Sequence, residues 1–274
     1  MKLYASGMMW GEGPRWHNGA LWLSDTQGGK LWTDANGVWT AHETRSVSNG
    51  LWFLPDGRLV GAMMNEQRIG LWNGSGWEAF VDLGHLNPGP LGDMVGDARG
   101  NLYVDDVAYS LPKGEAPRPG RLLFVGRDGT ARVAAENLDF PNGLAFQDEG
   151  KTLVVAESGG ERLCCFSVDE EGGLHDKRLY ADLTALLARP IKPDGICATK
   201  NGIWVATLEN NAVCLIRDGQ VLTSLSVGHL SPIACCVDDA ESRLFVTAVD
   251  TGRQPLMDAV RSRNISTSVV AFDL

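Results

Sequence analysis

The stretch PNGLAFQDEGKTLVVAES, residues 141–158, has the form of two β-strands joined by a tight turn. A polar opening at Asn142 leads into a short apolar run, a turn ending in Gly150 follows, and a second apolar run comes after the turn. Short runs rich in β-branched and apolar residues, separated by glycine-containing turns, are typical of antiparallel strand pairs. This stretch therefore predicts one hairpin of a larger β-structure.

The same arrangement recurs along the chain at intervals of 37 to 52 residues. Its openings place an oxygen-bearing side chain at the same phase five times, and the weaker sixth opening is Ser231–Ala234. The five residues are Glu12, Asn49, Asp93, Asn142 and Asp194. A period near 40 to 50 residues with several short strands per repeat is typical of β-propeller blades. The sequence predicts one all-β domain over residues 1–274, a six-bladed β-propeller with a polar central channel.

Strand-like segments at the two ends of the chain, residues 2–5 and 268–273, are predicted to meet in one blade and close the ring, since an open blade edge invites pairing with other chains. Only one helix is predicted, at residues 181–188. The Pro- and Gly-rich segment 110–120 is a candidate cover for one mouth of the channel, with a plain surface loop as the alternative.

The charge and the cysteine content narrow the possible partners and location. The chain carries 24 Lys and Arg against 34 Asp and Glu, a net charge of −10, which disfavours nucleic acid and anionic membranes as partners. Its six cysteines form no Cys-x-x-Cys pair and are expected to be reduced core thiols. The sequence shows neither a signal-peptide pattern nor an apolar run long enough for a membrane helix, so we expect a cytoplasmic protein.

The shared phase of the openings points to a metal site. Asp56 provides an internal control, because Pro55-Asp56-Gly57 lies between two strands, where a hairpin turn explains it fully. Glu12, Asn142 and Asp194 would instead present two carboxylates and an amide oxygen to the propeller axis. Clustered oxygens of this kind suit a hard divalent cation. The alternative is a hydrogen-bonded polar plug in the channel.

Four segments resemble motifs of the gluconolactonase, regucalcin (senescence marker protein) and luciferin-regenerating family, and especially of its bacterial lactonases. They are GEGPRW (11–16), DMVGDARGNLYVDD (93–106), FPNGLAF (140–146) and KPDGICATKNGIWVAT (192–207). The resemblance covers nearly the whole chain and keeps the motif order. It implies a six-bladed propeller with one divalent metal in its channel and an enzyme that hydrolyses lactones or related esters.

Carried over to this chain, the resemblance assigns the metal to Glu12, Asn142 and Asp194, with Asp194 also as the general base. Calcium is the first choice for an all-oxygen site, with zinc, manganese or magnesium possible. Asp93 corresponds to the Asp of the family's Asn-Asp pair. Additional candidates for contacts with the substrate or with the ligands are Asn49, His85 and Leu91.

One departure from the family pattern concerns the substrate. Where sugar-lactone members carry an Arg and then an Asn, this chain has Pro90, Leu91 and Gly92. Because a sugar lactone needs hydrogen-bond partners for its hydroxyls, we predict a less hydroxylated substrate, an aliphatic or aromatic lactone. The alternatives are a sugar lactonase in which other residues replace the missing groups, a phosphotriesterase-like hydrolase, and a non-enzymatic calcium-binding propeller.

Overall fold

The chain folds into six antiparallel sheets of four strands each in the computed structural model, which describes residues 1–110 and 113–274. The first strand of each sheet is its inner strand. The inner strands of consecutive sheets contact one another, and that of the last sheet contacts that of the first, so the sheets form a closed ring. The predicted six-bladed β-propeller is confirmed.

Blades 1 to 3 occupy the first half of the chain after β1 (Lys2–Met8), which belongs to the last blade. Blade 1 consists of β2 (Gly11–His17), β3 (Ala20–Asp25), β4 (Lys30–Thr33) and β5 (Thr40–Glu43). Blade 2 consists of β6 (Ser48–Phe53), β7 (Leu59–Met63), β8 (Arg68–Trp72) and β9 (Trp77–Asp82). Blade 3 consists of β10 (Leu91–Gly96), β11 (Leu102–Asp106), β12 (Gly120–Val125) and β13 (Ala131–Leu138).

Blades 4 and 5 continue the same order, and blade 6 combines both ends of the chain. Blade 4 consists of β14 (Pro141–Gln147), β15 (Thr152–Glu157), β16 (Arg162–Val168) and β17 (Leu174–Asp182). Blade 5 consists of β18 (Lys192–Thr199), β19 (Gly202–Leu208), β20 (Ala212–Arg217) and β21 (Gln220–Ser226). Blade 6 consists of β22 (Ser231–Val237), β23 (Arg243–Asp250), β24 (Ser266–Asp273) and β1.

The ring closes by antiparallel pairing of β1 with β24, in which Lys2 lies opposite Ala271 and Met8 opposite Thr267. Ala5 and Met8 of β1 are buried against the core. The N-terminal segment is therefore the outer strand of the last blade, as predicted.

Short helices lie in two of the connections. The predicted helix appears as α1 (Leu183–Leu187), which Asp182 caps by accepting a hydrogen bond from the backbone N–H of Ala185. A second helix, α2 (Leu256–Arg261), lies between β23 and β24, so the prediction of a single helix is wrong. Within the described ranges, no helix is long and apolar enough to cross a membrane.

The core consists of apolar residues packed between neighbouring blades. Val154 and Leu163 of blade 4 belong to one buried cluster with Ile203 and Val205 of blade 5. An equivalent cluster joins blades 2 and 3. Burial of these faces drives the blades together and fixes the inner strands around the axis.

A β-bulge near the start of each inner strand sets which residues face the channel. In blade 4, Pro141 pairs with Glu157 and Leu144 with Val155, so three steps on β14 oppose two on β15. Blades 2, 3 and 5 share this pattern. The first residues of their bulges are therefore equivalent, and they are Asn49, Gly92, Asn142 and Asp194.

The register corrects the predicted phase of Asp93 by one residue. Asp93 is the second residue of its bulge, where blades 2 and 4 have Gly50 and Gly143. Those glycines allow close approach of the strands, because a Cβ on Gly143 would lie 2.5 Å from the backbone oxygen of Asp194. The residue of blade 3 that occupies the channel-facing phase is Gly92.

Candidate functional site

A cavity of about 210 Å³ lies where the inner strands begin, and the openings of five blades line it. These lining residues are Glu12, Asn49, Leu91, Gly92, Asn142 and Asp194. A larger open depression of about 710 Å³ lies against turns at the other ends of the blade 4 and 5 strands and contains none of the opening residues. The predicted metal ligands thus share one cavity with Asn49 and Leu91.

Glu12 is held in this cavity by its neighbour Trp10. The indole Nε1–H of Trp10 donates to Glu12 Oε1 over 2.7 Å. Burial and the nearby Asp194 raise the pKa of Glu12 well above its usual range, and the Trp10 hydrogen bond opposes this rise only in part. A positive charge between the two carboxyl groups would stabilise their ionised forms and oppose this rise.

Asp194 and Asn142 stand side by side on the inner strands of blades 5 and 4. Asp194 is 2% exposed, and its Oδ1 is buried without a hydrogen-bond partner. Burial raises the pKa of Asp194 to about 8, although the Asn142 amide opposes the rise. Asn142 Nδ2 donates to Ser158 Oγ over 3.4 Å, which leaves its amide oxygen available to a ligand.

Asp93 has a different environment from the other openings. Its Oδ1 accepts hydrogen bonds from Arg15 Nη2 and from the backbone N–H of Met94, both over 2.8 Å. Arg15 Nη2 also donates to the backbone oxygen of Met94. Asp93 is therefore engaged in an ion pair and is not among the residues that line the cavity.

His85 lies outside the cavity. It belongs to a 3₁₀ turn, Gly84–Leu86, on the exposed surface, and its Nε2 is 3.2 Å from the backbone oxygen of Ala131 in the outer strand of blade 3. The turn packs towards the outer edge of the ring because blade 2 ends there. Proximity in sequence to the next opening thus did not bring His85 to the axis.

Asp105 is a cavity residue that the sequence reasoning did not single out. It lies in β11, is fully buried, and lines the cavity together with Glu12 and Asp194. Its Oδ2 accepts a hydrogen bond from the backbone N–H of Asp93 over 2.6 Å, while its Oδ1 is buried without a partner. A charged residue directly after the apolar run LYV, residues 102–104 of a predicted strand, was the available signal.

Apart from the opening residues, the lining of the cavity is largely apolar. The apolar side chains that form it are Trp10, Met64, Val107, Tyr109, Phe140, Leu208, Leu256, Met257 and Val260. Three of them belong to α2, so the unpredicted helix is part of the wall. Ser110 also lines the cavity, but residues 111 and 112 of the predicted loop cover lie outside the described residues.

The donor set fits a hard divalent cation. Asp194 supplies a buried carboxylate, Glu12 a partly buried one and Asn142 an amide oxygen, and Asp194 Oδ1 has no hydrogen-bond partner in the protein. Among the residues that the structure describes, no three His, Cys, Asp or Glu side chains converge closely enough to form a metal site by themselves. The amide of Asn142 and solvent would therefore complete the coordination.

Comparison with known proteins now adds to this geometry. The family model described as "SMP-30/Gluconolactonase/LRE-like region" matches residues 10–250. The chain belongs to this family. The motifs at its blade openings resemble those of the same SMP-30/gluconolactonase/LRE-like family.

Solved structures agree in fold. A luciferin-regenerating enzyme is 22% identical with a TM-score of 0.79, covering 97% of this chain and 92% of its own. A gluconolactonase from Xanthomonas campestris is 23% identical with a TM-score of 0.75, covering 97% and 87%. A structure described as a calcium-binding protein, regucalcin, from Agrobacterium tumefaciens is 20% identical with a TM-score of 0.77, covering 98% and 94%.

Proposed function

We propose that this SMP-30/gluconolactonase/LRE-like propeller is a metal-dependent lactonase that opens the ring of a lactone with few hydroxyl groups. The observation that carries the proposal is the pairing of the buried Asp194 carboxyl group and the partly buried Glu12 carboxyl group with the Asn142 amide in a largely apolar cavity. Family membership and the gluconolactonase among the similar structures support the class of reaction.

Glu12, Asn142 and Asp194 would hold one divalent cation, calcium being our first choice. Such a cation, when bound, polarises a carbonyl oxygen and lowers the pKa of water beside it. Trp10 fixes the Glu12 carboxylate through the hydrogen bond to Oε1, and the bulge positions of Asn142 and Asp194 direct both side chains to the same point.

Asp194 is the residue assigned to proton transfer. Its Oδ1 has no hydrogen-bond partner in the protein, and the carboxylate can accept a proton as water adds to the lactone carbonyl carbon. When the ring C–O bond breaks, that proton passes to the departing ring oxygen, so the product is a hydroxy acid. A positive charge nearby would lower the pKa of Asp194 and make it a weaker base. Asp194 could then take a proton only from a water molecule whose own pKa is lowered as well.

The apolar wall determines what the cavity accepts. Tyr109, Phe140 and residues Leu256 and Met257 of α2 contact the body of a bound molecule, while the openings contact its reacting end. Leu91 and Gly92 offer no hydrogen bond from their side chains. A lactone with an aliphatic or aromatic body is therefore favoured over a sugar lactone.

A second candidate function is calcium binding without catalysis. One similar structure is described as a calcium-binding protein, and the carboxyl groups of Glu12 and Asp194 would be stabilised by a cation whether or not they act on a substrate. The two functions differ in what removal of the metal does. A catalytic metal is required for turnover, whereas a structural one is required chiefly for stability.

The test is a hydrolysis screen on protein stripped with EDTA and reloaded separately with calcium, manganese, magnesium or zinc. Sugar, aliphatic and aromatic lactones are compared for the parent, for Asp194→Asn, and for Asp56→Asn as a control in an exposed turn. We expect turnover only in the reloaded parent and in the control. Metal binding and stabilisation without turnover of any lactone would instead establish the calcium-binding function.

A further inference from the structure

Asp105 occupies a position that is small in the other blades. In each blade, the residue before the channel-facing opening residue pairs with a residue of the second strand. The position meant here is one residue earlier on that second strand. Across blades 1 to 6 it is Ser24, Ala62, Asp105, Ala156, Ala206 and Thr247. Blade 3 alone has a charged residue there, and it is also the blade whose opening residue has no side chain.

The carboxyl group of Asp105 fills the space that a side chain at position 92 would occupy. A Cβ built on Gly92 would lie 2.2 Å from Oδ1 and 2.6 Å from Oδ2 of Asp105. Real Cβ atoms do not approach oxygen so closely, so any side chain at position 92 would displace this carboxyl group. Blades 2 and 4 show the reverse arrangement, in which Asn49 and Asn142 stand opposite alanines.

The neighbouring cations do not neutralise Asp105. Arg15 pairs with Asp93, and Arg121 Nε donates to Asp106 Oδ2 over 2.7 Å. Asp105 Oδ1 therefore remains buried, unpartnered and on the wall of the cavity. A buried polar atom without a partner is costly, and a ligand that supplies a donor would remove that cost.

We infer that blade 3 has exchanged its polar group between strands, so that Asp105 provides the contact that Gly92 cannot, and that Asp105 Oδ1 accepts a hydrogen bond from a hydroxyl of the substrate. The inference rests on the proposed lactonase function for the identity of that substrate. The expected substrate is then a lactone with an apolar body and one hydroxyl group that reaches Asp105.

The exchange itself is tested by stability, independently of activity. Gly92→Asn should lower Tm by about 5 °C or more, because the new side chain collides with Asp105. The double variant Gly92→Asn with Asp105→Ala reproduces the Asn–Ala pairing of blades 2 and 4, and its Tm should return to within about 2 °C of that of Asp105→Ala. Equal destabilisation by Gly92→Asn in both backgrounds would overturn the exchange.

The substrate contact is tested with γ-butyrolactone and its α- and β-hydroxy derivatives. Asp105→Asn keeps an oxygen that can accept from the Asp93 N–H but removes the charge, and Asp56→Asn is the matched control. We expect Asp105→Asn to lower kcat/KM for a hydroxylated lactone about tenfold relative to γ-butyrolactone, mainly through KM, and the control to leave the ratio unchanged.

An unchanged ratio in Asp105→Asn would limit Asp105 to holding the backbone of blade 3 and overturn the contact. If the parent hydrolyses no lactone in this series or in the wider screen, the proposed function fails and the substrate contact fails with it. The stability measurements on Gly92 and Asp105 still decide the exchange in that case, so the two failures are distinguishable.

Discussion

Arg15 Nη2 lies 2.8 Å from Asp93 Oδ1, although the two residues belong to the inner strands of blades 1 and 3, which are not neighbours in the ring. Their side chains are only 12% and 8% exposed. Arg15 also donates to the backbone oxygen of Met94 over 2.6 Å. This ion pair links strands of two blades that are separated by blade 2 and that share no β-ladder.

Removal of Arg15 should therefore destabilise the propeller. Arg15→Met leaves the Asp93 carboxylate buried without its partner, and we expect a loss of about 3 to 5 kcal/mol in the free energy of unfolding. Chemical denaturation checks this. Arg58→Met is the control, because Arg58 pairs with Asp56 in an exposed turn and should show no measurable change. Similar losses in both variants would contradict the role of the buried pair.

Metal binding should depend on Glu12 and Asp194. Calcium should raise Tm of the parent, and Glu12→Gln or Asp194→Asn should weaken calcium binding at least about tenfold, since each removes a carboxylate ligand; this equals about 1.4 kcal/mol. Titration calorimetry and thermal melts measure both effects. Glu12→Gln should affect affinity more than folding. The assignment is wrong if Asp194→Ala binds calcium as tightly as the parent and turns substrate over as fast.

Stability below pH 5 should depend on Glu157. Burial alone would raise its pKa, but hydrogen bonds from Arg162, the Asp139 backbone and Lys177 lower the pKa to about 2. Because the pKa in the folded protein lies below the ordinary glutamate value of 4.5, the stabilisation is present above pH 4.5 and is lost as the pH falls towards 2.

The loss should be at most about 3 kcal/mol, and less after allowance for the partly exposed Arg162 and Lys177. Denaturation of the parent and of Glu157→Gln at pH 6 and pH 3 measures it. The difference in stability between the two proteins should shrink at pH 3. A difference that stays constant with pH would show that the ion pairs of Glu157 do not carry this stability.

Dihydrocoumarin should be a better substrate than gluconolactone. Each sugar hydroxyl placed against Leu91 or the α2 side chains loses water without gaining a partner, at a cost of about 1 to 3 kcal/mol. We expect kcat/KM with the same metal to favour dihydrocoumarin at least about tenfold. A clear advantage for gluconolactone would mean that Asn49, Asp105 or Ser110 supplies the hydrogen bonds that Leu91 and Gly92 lack.

Deletion of residues 1–8 should be damaging. It removes β1, exposes the edge of β24, and uncovers the core that Ala5 and Met8 bury. We expect aggregation and a fall in Tm of roughly 5 °C or more, measured by light scattering and thermal melts. Removal of the half-exposed Leu274 is the control at the other end of the chain and should have little effect. Equal behaviour of the two truncations would contradict the closure argument.

Much of the fold and part of the site could be predicted from the sequence. The repeated openings placed Glu12, Asn49, Asn142 and Asp194 at one phase, and the structure brings these residues to one cavity. Asp93 was misplaced because the residue that begins the bulge of blade 3 is set by the pairing of β10 with β11, which local sequence does not reveal.

The positions of other residues could not be predicted, because they depend on contacts between distant parts of the chain. The sequence shows Asp105 only as a charge after an apolar run, and its role becomes clear when the six second strands are aligned by register, which places it beside Gly92. The helix α2 has only six residues, less than two turns, and starts after Pro255, so it is too short to show an apolar period in the sequence. The position of His85 depends on which side of blade 2 its turn packs.

Blade 6 combines two roles that other blades keep apart. Its outer seam, β1 against β24, joins residues from opposite ends of the chain, and the α2 wall of the cavity lies in the connection that leads into β24. Fraying of the chain ends would therefore loosen the connection that carries α2. Amide hydrogen exchange in β24 and α2 should rise and fall together, and a ligand that contacts Met257 should slow both.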